Sequence, residues 1–450
     1  MESIKKPFKS VLKLIGEQDV NFGDEYRPIT FSLVTEVEGR KIAYNTLTGE
    51  LVVINEAEQA MLTGEKLVAD DSSAELIKKW FLVPLDNDDM RLRNELVAFG
   101  EVFLAGKKKK AFTILPTTDC NARCFYCFEL GRSRLHMTDE IAKDTVDYIL
   151  KNGEKKITLK WFGGEPLYNV RVIDIITEGL RNAGVEYKSS MVSNAYLFDD
   201  EIVRRAVNDW KLDNVQVTLD GTEEVYNRIK AYIYKDGKSP FQIVMDNIER
   251  LLKADILVTV RLNVSNENFE DLMDLATVLG ERFGTYSKLK VYSHRLFEFT
   301  DRPDTIMSDL DRMELDRKWL ELEDKIHKLG IGVNKPLAKD AKYYRCMADS
   351  PVASLILPDG HLGRCEHHTD SNFVGDIYNG ETDKEMLAKF KERVDSDEIC
   401  KGCKLYPSCI QLKMCSAERL LVICDEATRK YKEEELYGSV ERAVKRYFAK

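Results

Sequence analysis

The stretch Ala111–Cys127, AFTILPTTDCNARCFYC, is the place to begin. Its first seven residues are mostly apolar or β-branched, the composition of a buried strand. Cys120, Cys124 and Cys127 follow at once, in the spacing C-x₃-C-x₂-C. Three thiols in so short a loop can converge on one small metal centre. They are one ligand short of the four that saturate a [4Fe–4S] cube, which leaves one iron for a ligand from outside the protein. The same three could instead serve a zinc ion with a distant fourth ligand, or be unrelated buried thiols.

Reading outward, the pattern alternates between strand and helix as far as residue 330. Strand candidates are AFTILPT, KITLKWF, KSSMVSN, NVQVTL, ILVTVRLNV and KLKVYS. Amphipathic stretches such as DEIAKDTVDYILKN, SPFQIVMDNIERLLKA and NFEDLMDLATVLGERF separate most of them. Such alternation argues for right-handed βαβ units and a parallel sheet, open or curved into a partial barrel. CNARCFYC, GGEP, SNA, LDG and RLN all lie at or just after the C-terminal end of a strand candidate. That is the end of a β/α barrel where active sites are built. No position stands out as a catalytic acid or base. Asp220 and Arg228, near LDG, serve either a pocket or the stability of their own loop.

With these residues in view, the segment resembles the radical SAM enzymes. The resemblance rests on Cys120, Cys124 and Cys127 with Tyr126 before the last of them, on Gly163-Gly164-Glu165-Pro166, on Ser193-Asn194 and on Arg261 with Asn263. It implies a partial (β/α)6 barrel whose three cysteines hold a [4Fe–4S] cluster that binds S-adenosylmethionine (SAM). It further implies that the GGEP backbone and Glu165 receive the SAM amino group, and that Ser193 and Asn194 contact the ribose. Arg261 would lie near the SAM carboxylate with Asn263 beside it, and Tyr126 would pack near the adenine.

The remaining seven of the ten cysteines crowd into the last quarter of the chain. Cys346 and Cys365 bracket Gly360; Cys400, Cys403, Cys409, Cys415 and Cys424 follow. This layout resembles the SPASM extension of radical SAM enzymes, with five residues between Cys409 and Cys415 where that family usually has three. The resemblance implies two auxiliary [4Fe–4S] clusters, one on Cys400, Cys403, Cys409 and Cys424 and one on Cys346, Cys365 and Cys415. Structural zinc is the alternative, since cysteine spacing alone does not separate the two metals. His367 and His368, close to Cys365 in sequence, are expected to be solvent-exposed or hydrogen-bonded rather than ligands.

The first hundred residues read differently. Three short alternating runs, ITFSLVTEV, KIAYNTL and ELVVIN, precede short helical candidates. They suggest a winged-helix-like unit resembling the peptide-recognition element of ribosomal-peptide maturases. Lys107–Lys110 marks its end. The expected organisation is a leader-recognition domain over 1–106, the radical SAM barrel over 107–335, and the SPASM domain with a C-terminal helix over 336–450. A net charge of −10 argues against nucleic acid as the main partner. No apolar run is long enough to cross a bilayer and no secretory signal begins the chain, so a cytoplasmic protein is expected. The resemblances together imply a maturase that crosslinks a ribosomally made precursor peptide, served by an electron donor such as flavodoxin or ferredoxin. An anaerobic sulfatase-maturating enzyme and a non-catalytic Fe–S or zinc scaffold are the competing readings.

Overall fold

The computed structural model describes residues 1–234, 237–296, 307–333, 336–339, 341–393, 400, 402–415 and 426–449. Near the N-terminus, strands β1 (Glu2–Lys5), β2 (Glu25–Pro28), β3 (Ser32–Val37), β4 (Arg40–Asn45), β5 (Leu51–Ile54), β6 (Leu67–Val68) and β7 (Leu82–Pro84) form two small antiparallel sheets, ordered β1-β5-β4-β3 and β6-β2-β7. The run ITFSLVTEV contributes only β3 as a strand. β2 ends at Pro28, where the missing N–H interrupts the ladder, and β2 and β3 join different sheets. β1 lies in a lysine-rich stretch with no strand periodicity, and it is held by pairing with β5. Helices Glu56–Thr63, Ala74–Lys78 and Asp89–Leu104, with the short helix Lys9–Ile15 before β2, complete this part of the chain. Glu56–Thr63 begins with a full capping box: Asn55 and Glu58 each take the other's backbone N–H.

The larger sheet has ten strands. β8 (Lys109–Thr117), β9 (Gly153–Gly163), β10 (Glu186–Ser193), β11 (Leu212–Leu219), β12 (Leu257–Val264) and β13 (Leu289–Arg295) lie side by side in sequence order, and every pairing among them is parallel. These are the six strands expected from sequence, and they form the partial barrel. Alternate residues such as Ile157, Leu159 and Trp161 on β9, and Val258, Val260 and Leu262 on β12, are buried in one continuous core. Arg261 and Asn263 therefore lie on the opposite face of β12 from Val260 and Leu262.

On its other side β8 pairs in parallel with β14 (Ala353–Ile356). β14 turns back into β15 (His361–Gly363), the hairpin expected from VASLILPDGHLGRC, and β16 (Gly375–Asp376) and β17 (Gly380–Glu381) follow. The cysteine-rich region thus continues the barrel sheet. The N-terminal part packs on the same region: Phe31 stacks on Tyr406 at 6.4 Å between ring centroids, and Thr46 Oγ1 donates to the Lys404 carbonyl at 2.5 Å. Val440 and Val444 of the C-terminal helix Glu426–Phe448 share a core with Leu33, Ile42, Tyr44 and Leu51 of the four-stranded sheet.

Arg364, two per cent exposed, shows what fixes the hairpin. Its Nε donates to the Ala348 carbonyl at 3.0 Å. Nη1 serves the Ala353 carbonyl at 2.8 Å and Glu381 at 3.0 Å. Nη2 serves Met347 at 3.1 Å and the Ser350 carbonyl. All five N–H donors are engaged. Arg364→Leu removes five hydrogen bonds at once, leaving Glu381 only Lys109 Nζ at 2.7 Å, and should cost about 3–5 kcal/mol of stability. Urea unfolding checks this; a cost no larger than the ~1 kcal/mol of an exposed ion pair would contradict it.

Candidate active site at the strand ends

β8 stops at Thr117, and the next ten residues carry the three thiols. Local hydrogen bonds shape the loop: Asp119 N donates to Thr117 Oγ1 at 2.9 Å, Cys120 N to Asp119 Oδ1 at 2.8 Å and Cys127 N to the Cys124 carbonyl at 3.2 Å. The loop is then pinned to its neighbours. Arg123 N donates to the Lys230 carbonyl at 2.8 Å, and Ile233 N donates to the Asn121 carbonyl at 2.9 Å.

GGEP explains itself sterically. Gly164 N donates to the Thr117 carbonyl at 3.2 Å and Glu165 N to the Asp119 carbonyl at 2.9 Å. A Cβ on Gly163 would stand 2.1 Å from Thr117 O, and one on Gly164 2.1 Å from Asp119 O. Gly163 also has φ +124°, a region L side chains avoid. The two glycines let the end of β9 lie directly against the cysteine loop.

Glu165 is fully buried. Its Oε1 accepts from Ser193 Oγ at 2.8 Å and from Leu167 N at 3.2 Å; its Oε2 accepts from Asn194 N at 2.8 Å. Burial lifts the carboxyl to about 7, against the pull of these hydrogen bonds. The Ser193 hydroxyl is therefore turned to Glu165. Asn194 reaches the cysteine loop, its Nδ2 donating to Asn121 Oδ1 at 2.6 Å and lying 3.7 Å from Cys120 Sγ.

Tyr126 forms a second knot. Its hydroxyl lies 2.9 Å from both oxygens of Asp220 and accepts from Lys230 Nζ at 3.0 Å; Lys230 Nζ is itself 2.9 Å from Asp220 Oδ2. Asp220 and Lys230 are both buried. Asn263 Nδ2 donates to Asp220 Oδ1 at 3.2 Å, while Asn263 Oδ1 is buried with no hydrogen-bond partner. Asn268 Nδ2 ties the carbonyls of Asp220 and Asn263 together, at 2.9 Å each. Arg261 sits between Thr218 and Tyr292 in the sheet register, and its charge reaches His367.

The thiols themselves are protonated in the metal-free chain. Burial pushes Cys120 up to about 12 and Cys127 up to about 11, and raises Cys124 as well. Cys124 and Cys127 add to the rise at Cys120, so the three lie near enough to interact electrostatically. A metal centre must displace their protons. Among the described residues no three His, Cys, Asp or Glu gather around a single ion; the thiolates of a cubane bind separate irons and need not gather so closely. Half-buried, mutually near thiols and an orphaned acceptor at Asn263 fit a cluster carrying a polar nucleoside.

The other cysteines fall into two sets. Cys346 and Cys415 both act on Cys365, whose thiol burial pushes up to about 12. Cys400 and Cys409 act on Cys403. Cys424 lies outside the described residues. His368 is buried, with ring nitrogens 3.3 Å from the Met414 carbonyl and 3.1 Å from Asn372 Nδ2. Both are thus hydrogen-bonded rather than free for a metal. His367 stacks on Phe128 at 4.6 Å, and burial lowers its imidazole to about 4. Arg132 donates to the His367 carbonyl and to Thr369 Oγ1, each at 2.9 Å. The cysteine loop after β8 is thereby docked onto the segment after Cys365.

Sequence reading missed Lys230, Asn268, Phe128 and Glu129. Lys230 ends the helix Glu223–Lys230, a place where lysines are usually solvated. Glu129 follows the cysteines directly; burial raises its carboxyl to about 8 against the pull of Arg132, and its Oε1 has no hydrogen-bond partner.

Residues 114–279 match the Radical SAM superfamily model. An uncharacterized protein of Methanocaldococcus jannaschii is 26% identical over 175 residues, 38% of this chain and 58% of that protein. A probable GTP 3',8-cyclase of Methanococcus maripaludis is 34% identical over 131 residues, 28% of this chain and 42% of that one. The chain thus spans about half the length of these relatives. The radical SAM cyclopropyl synthase TigE of Paramaledivibacter caminithermalis is 25% identical over 193 residues, 38% of this chain and 39% of TigE. Among solved structures, anSMEcpe with bound AdoMet aligns with TM-score 0.54 at 16% identity, over 75% of this chain and 99% of that one. Streptococcus suis SuiB bound to the precursor peptide SuiA aligns with TM-score 0.51 at 13% identity, over 85% and 94%. Those two likenesses are of fold. Residues 114–279 are a radical SAM domain, a unit that works with a [4Fe–4S] cluster and SAM.

Proposed function

We propose that this chain is a peptide maturase that takes hydrogen from a ribosomally made precursor peptide and installs an intrapeptide crosslink, a thioether or a C–C or C–O bond. One observation carries the reading: the thiol loop, Gly163–Gly164, Glu165, Asn194 and the Tyr126–Asp220 knot converge at the C-terminal ends of four neighbouring parallel strands. Cys120, Cys124 and Cys127 would hold the cluster. Together the reduced cluster and SAM supply the power to remove a hydrogen atom from an unactivated C–H bond.

The chain's own residues position and exclude. Glu165 accepts three hydrogen bonds, and a carboxylate has about four acceptor sites, so one remains for the SAM ammonium. Asn263 Oδ1 is an unused acceptor for a polar hydrogen of the nucleoside. Arg261 would face the SAM carboxylate, and Gly163 to Pro166, Ser193, Asn194 and Tyr126 would complete the enclosure. Cys346, Cys365 and Cys415 would hold one auxiliary cluster and Cys400, Cys403, Cys409 and Cys424 the other. Crosslinking removes two electrons from the peptide, and a cluster held by Cys346, Cys365 and Cys415 would supply an acceptor for the second. A flavodoxin or ferredoxin would deliver the electron that starts each turnover. The N-terminal part would bind the leader as an added strand, using main-chain groups of an outer strand, β3 or β1, of its four-stranded sheet. SuiB, similar in fold across 85% of this chain, is solved with a precursor peptide, which supports a peptide substrate here.

Three cubane clusters correspond to about twelve irons per chain. Cys124→Ala should abolish reductive SAM cleavage while about eight irons remain, measured by iron analysis and deoxyadenosine formation under anaerobic conditions. Deoxyadenosine production at the wild-type rate would refute the ligand assignment, and zinc in place of iron would favour a scaffold.

Incubated with enzyme, SAM and a reductant, a candidate precursor peptide taken from short reading frames beside this gene should lose two hydrogens, with the two linked residues located by fragment mass spectra. The product should not react with a hydrazide. An aldehyde trapped by that reagent would mark formylglycine formation and overturn the crosslinking proposal.

A further inference from the structure

The buried ion pair behind the cysteine loop joins the enclosure just described through the Tyr126 hydroxyl, and Lys230 has been given no role there. Lys230 and Asp220 meet at 2.9 Å with side chains only 4% and 1% exposed. Tyr126 bridges them, its hydroxyl 2.9 Å from Asp220 and 3.0 Å from Lys230 Nζ. The fields of both charges reach Cys124, with opposite sign. The same lysine holds the loop through its backbone, since Arg123 N donates to the Lys230 carbonyl.

We propose that Asp220 and Lys230 form an opposed charge pair that sets the reduction potential of the cluster on Cys120, Cys124 and Cys127, with Tyr126 fixing their geometry. This rests on those cysteines holding the cluster. An iron–sulfur cluster gains negative charge on reduction, so its potential follows the net charge and hydrogen bonding around its sulfurs. Lys230 favours the reduced form and Asp220 the oxidised form. A buried pair also escapes the salt screening that weakens surface charges. A lysine buried only for packing would have served as well without its charge; a buried pair is often matched in stability by apolar side chains of similar volume. The two residues are positioning groups, acting through the cluster and not on substrate.

The test is an anaerobic redox titration of the intact enzyme followed by electron paramagnetic resonance. The relevant cluster is identified as the one whose signal changes when SAM is added. Lys230→Gln should lower its potential, giving about tenfold less reduced cluster at a fixed solution potential. Asp220→Asn should raise it by a similar factor, and Lys230→Arg should stay near wild type. The auxiliary signals should not move. If Lys230→Gln does not assemble the cluster, Asp220→Asn decides alone. Shifts in the same direction, no shift, or loss of the cluster in both variants would mark the pair as a structural pin and overturn the proposal. A wild-type enzyme with no SAM-sensitive signal would fail the cluster reading itself, an outcome distinct from these.

Discussion

Everything at the strand ends depends on two backbone segments lying closer than side chains allow. The end of β9 and the loop after β8 touch through Gly164 N to Thr117 O and Glu165 N to Asp119 O, with no space for a Cβ on either glycine. That approach carries Glu165 beneath the thiol loop. Glu165 then gathers the end of β10 through Ser193 and Asn194, and Asn194 returns to the loop through Asn121. A closed circuit of three strands results, and it fixes the cysteine loop in place.

The opposite wall is built from charge. Asp220 just after β11 and Lys230 at the end of the following helix are buried together, with Tyr126 of the loop joined to both, and Asn263 and Asn268 satisfy what remains of Asp220 and its backbone. Buried charges are costly unless paired and hydrogen-bonded; here the pairing is also what orients the loop residue nearest Cys124. The cysteine-rich region joins the same frame, through β14 on the outer side of β8 and through Phe128 on His367. The cysteine loop and Cys365 thus follow strands of one sheet.

Much of this was legible in the sequence, for a physical reason. The barrel strands bury alternate residues, and the residues that break this pattern at the strand ends stand out: the cysteines, GGEP, SNA, LDG and RLN. Steric need and hydrogen-bonding need both write themselves into residue type at those points. Pairing partners do not. Nothing in Ala353–Ile356 says that it lies beside β8, and Glu2–Lys5 has no pattern of its own. Lys230 and Glu129 look like surface residues because burial of a charge is decided by the tertiary fold. ITFSLVTEV shows the converse: an alternating run that the chain divides, because Ile29 still bonds the Phe81 carbonyl beside β2 while β3 starts only at Ser32.

The direct test of the ligand set is electron–nuclear double resonance on the reduced enzyme with SAM isotopically labelled in its amino and carboxylate groups. Coupling of both groups to a cluster, lost in a chain without Cys120, Cys124 and Cys127, is the expected result. A cluster on these thiols showing no coupling to either group would contradict it.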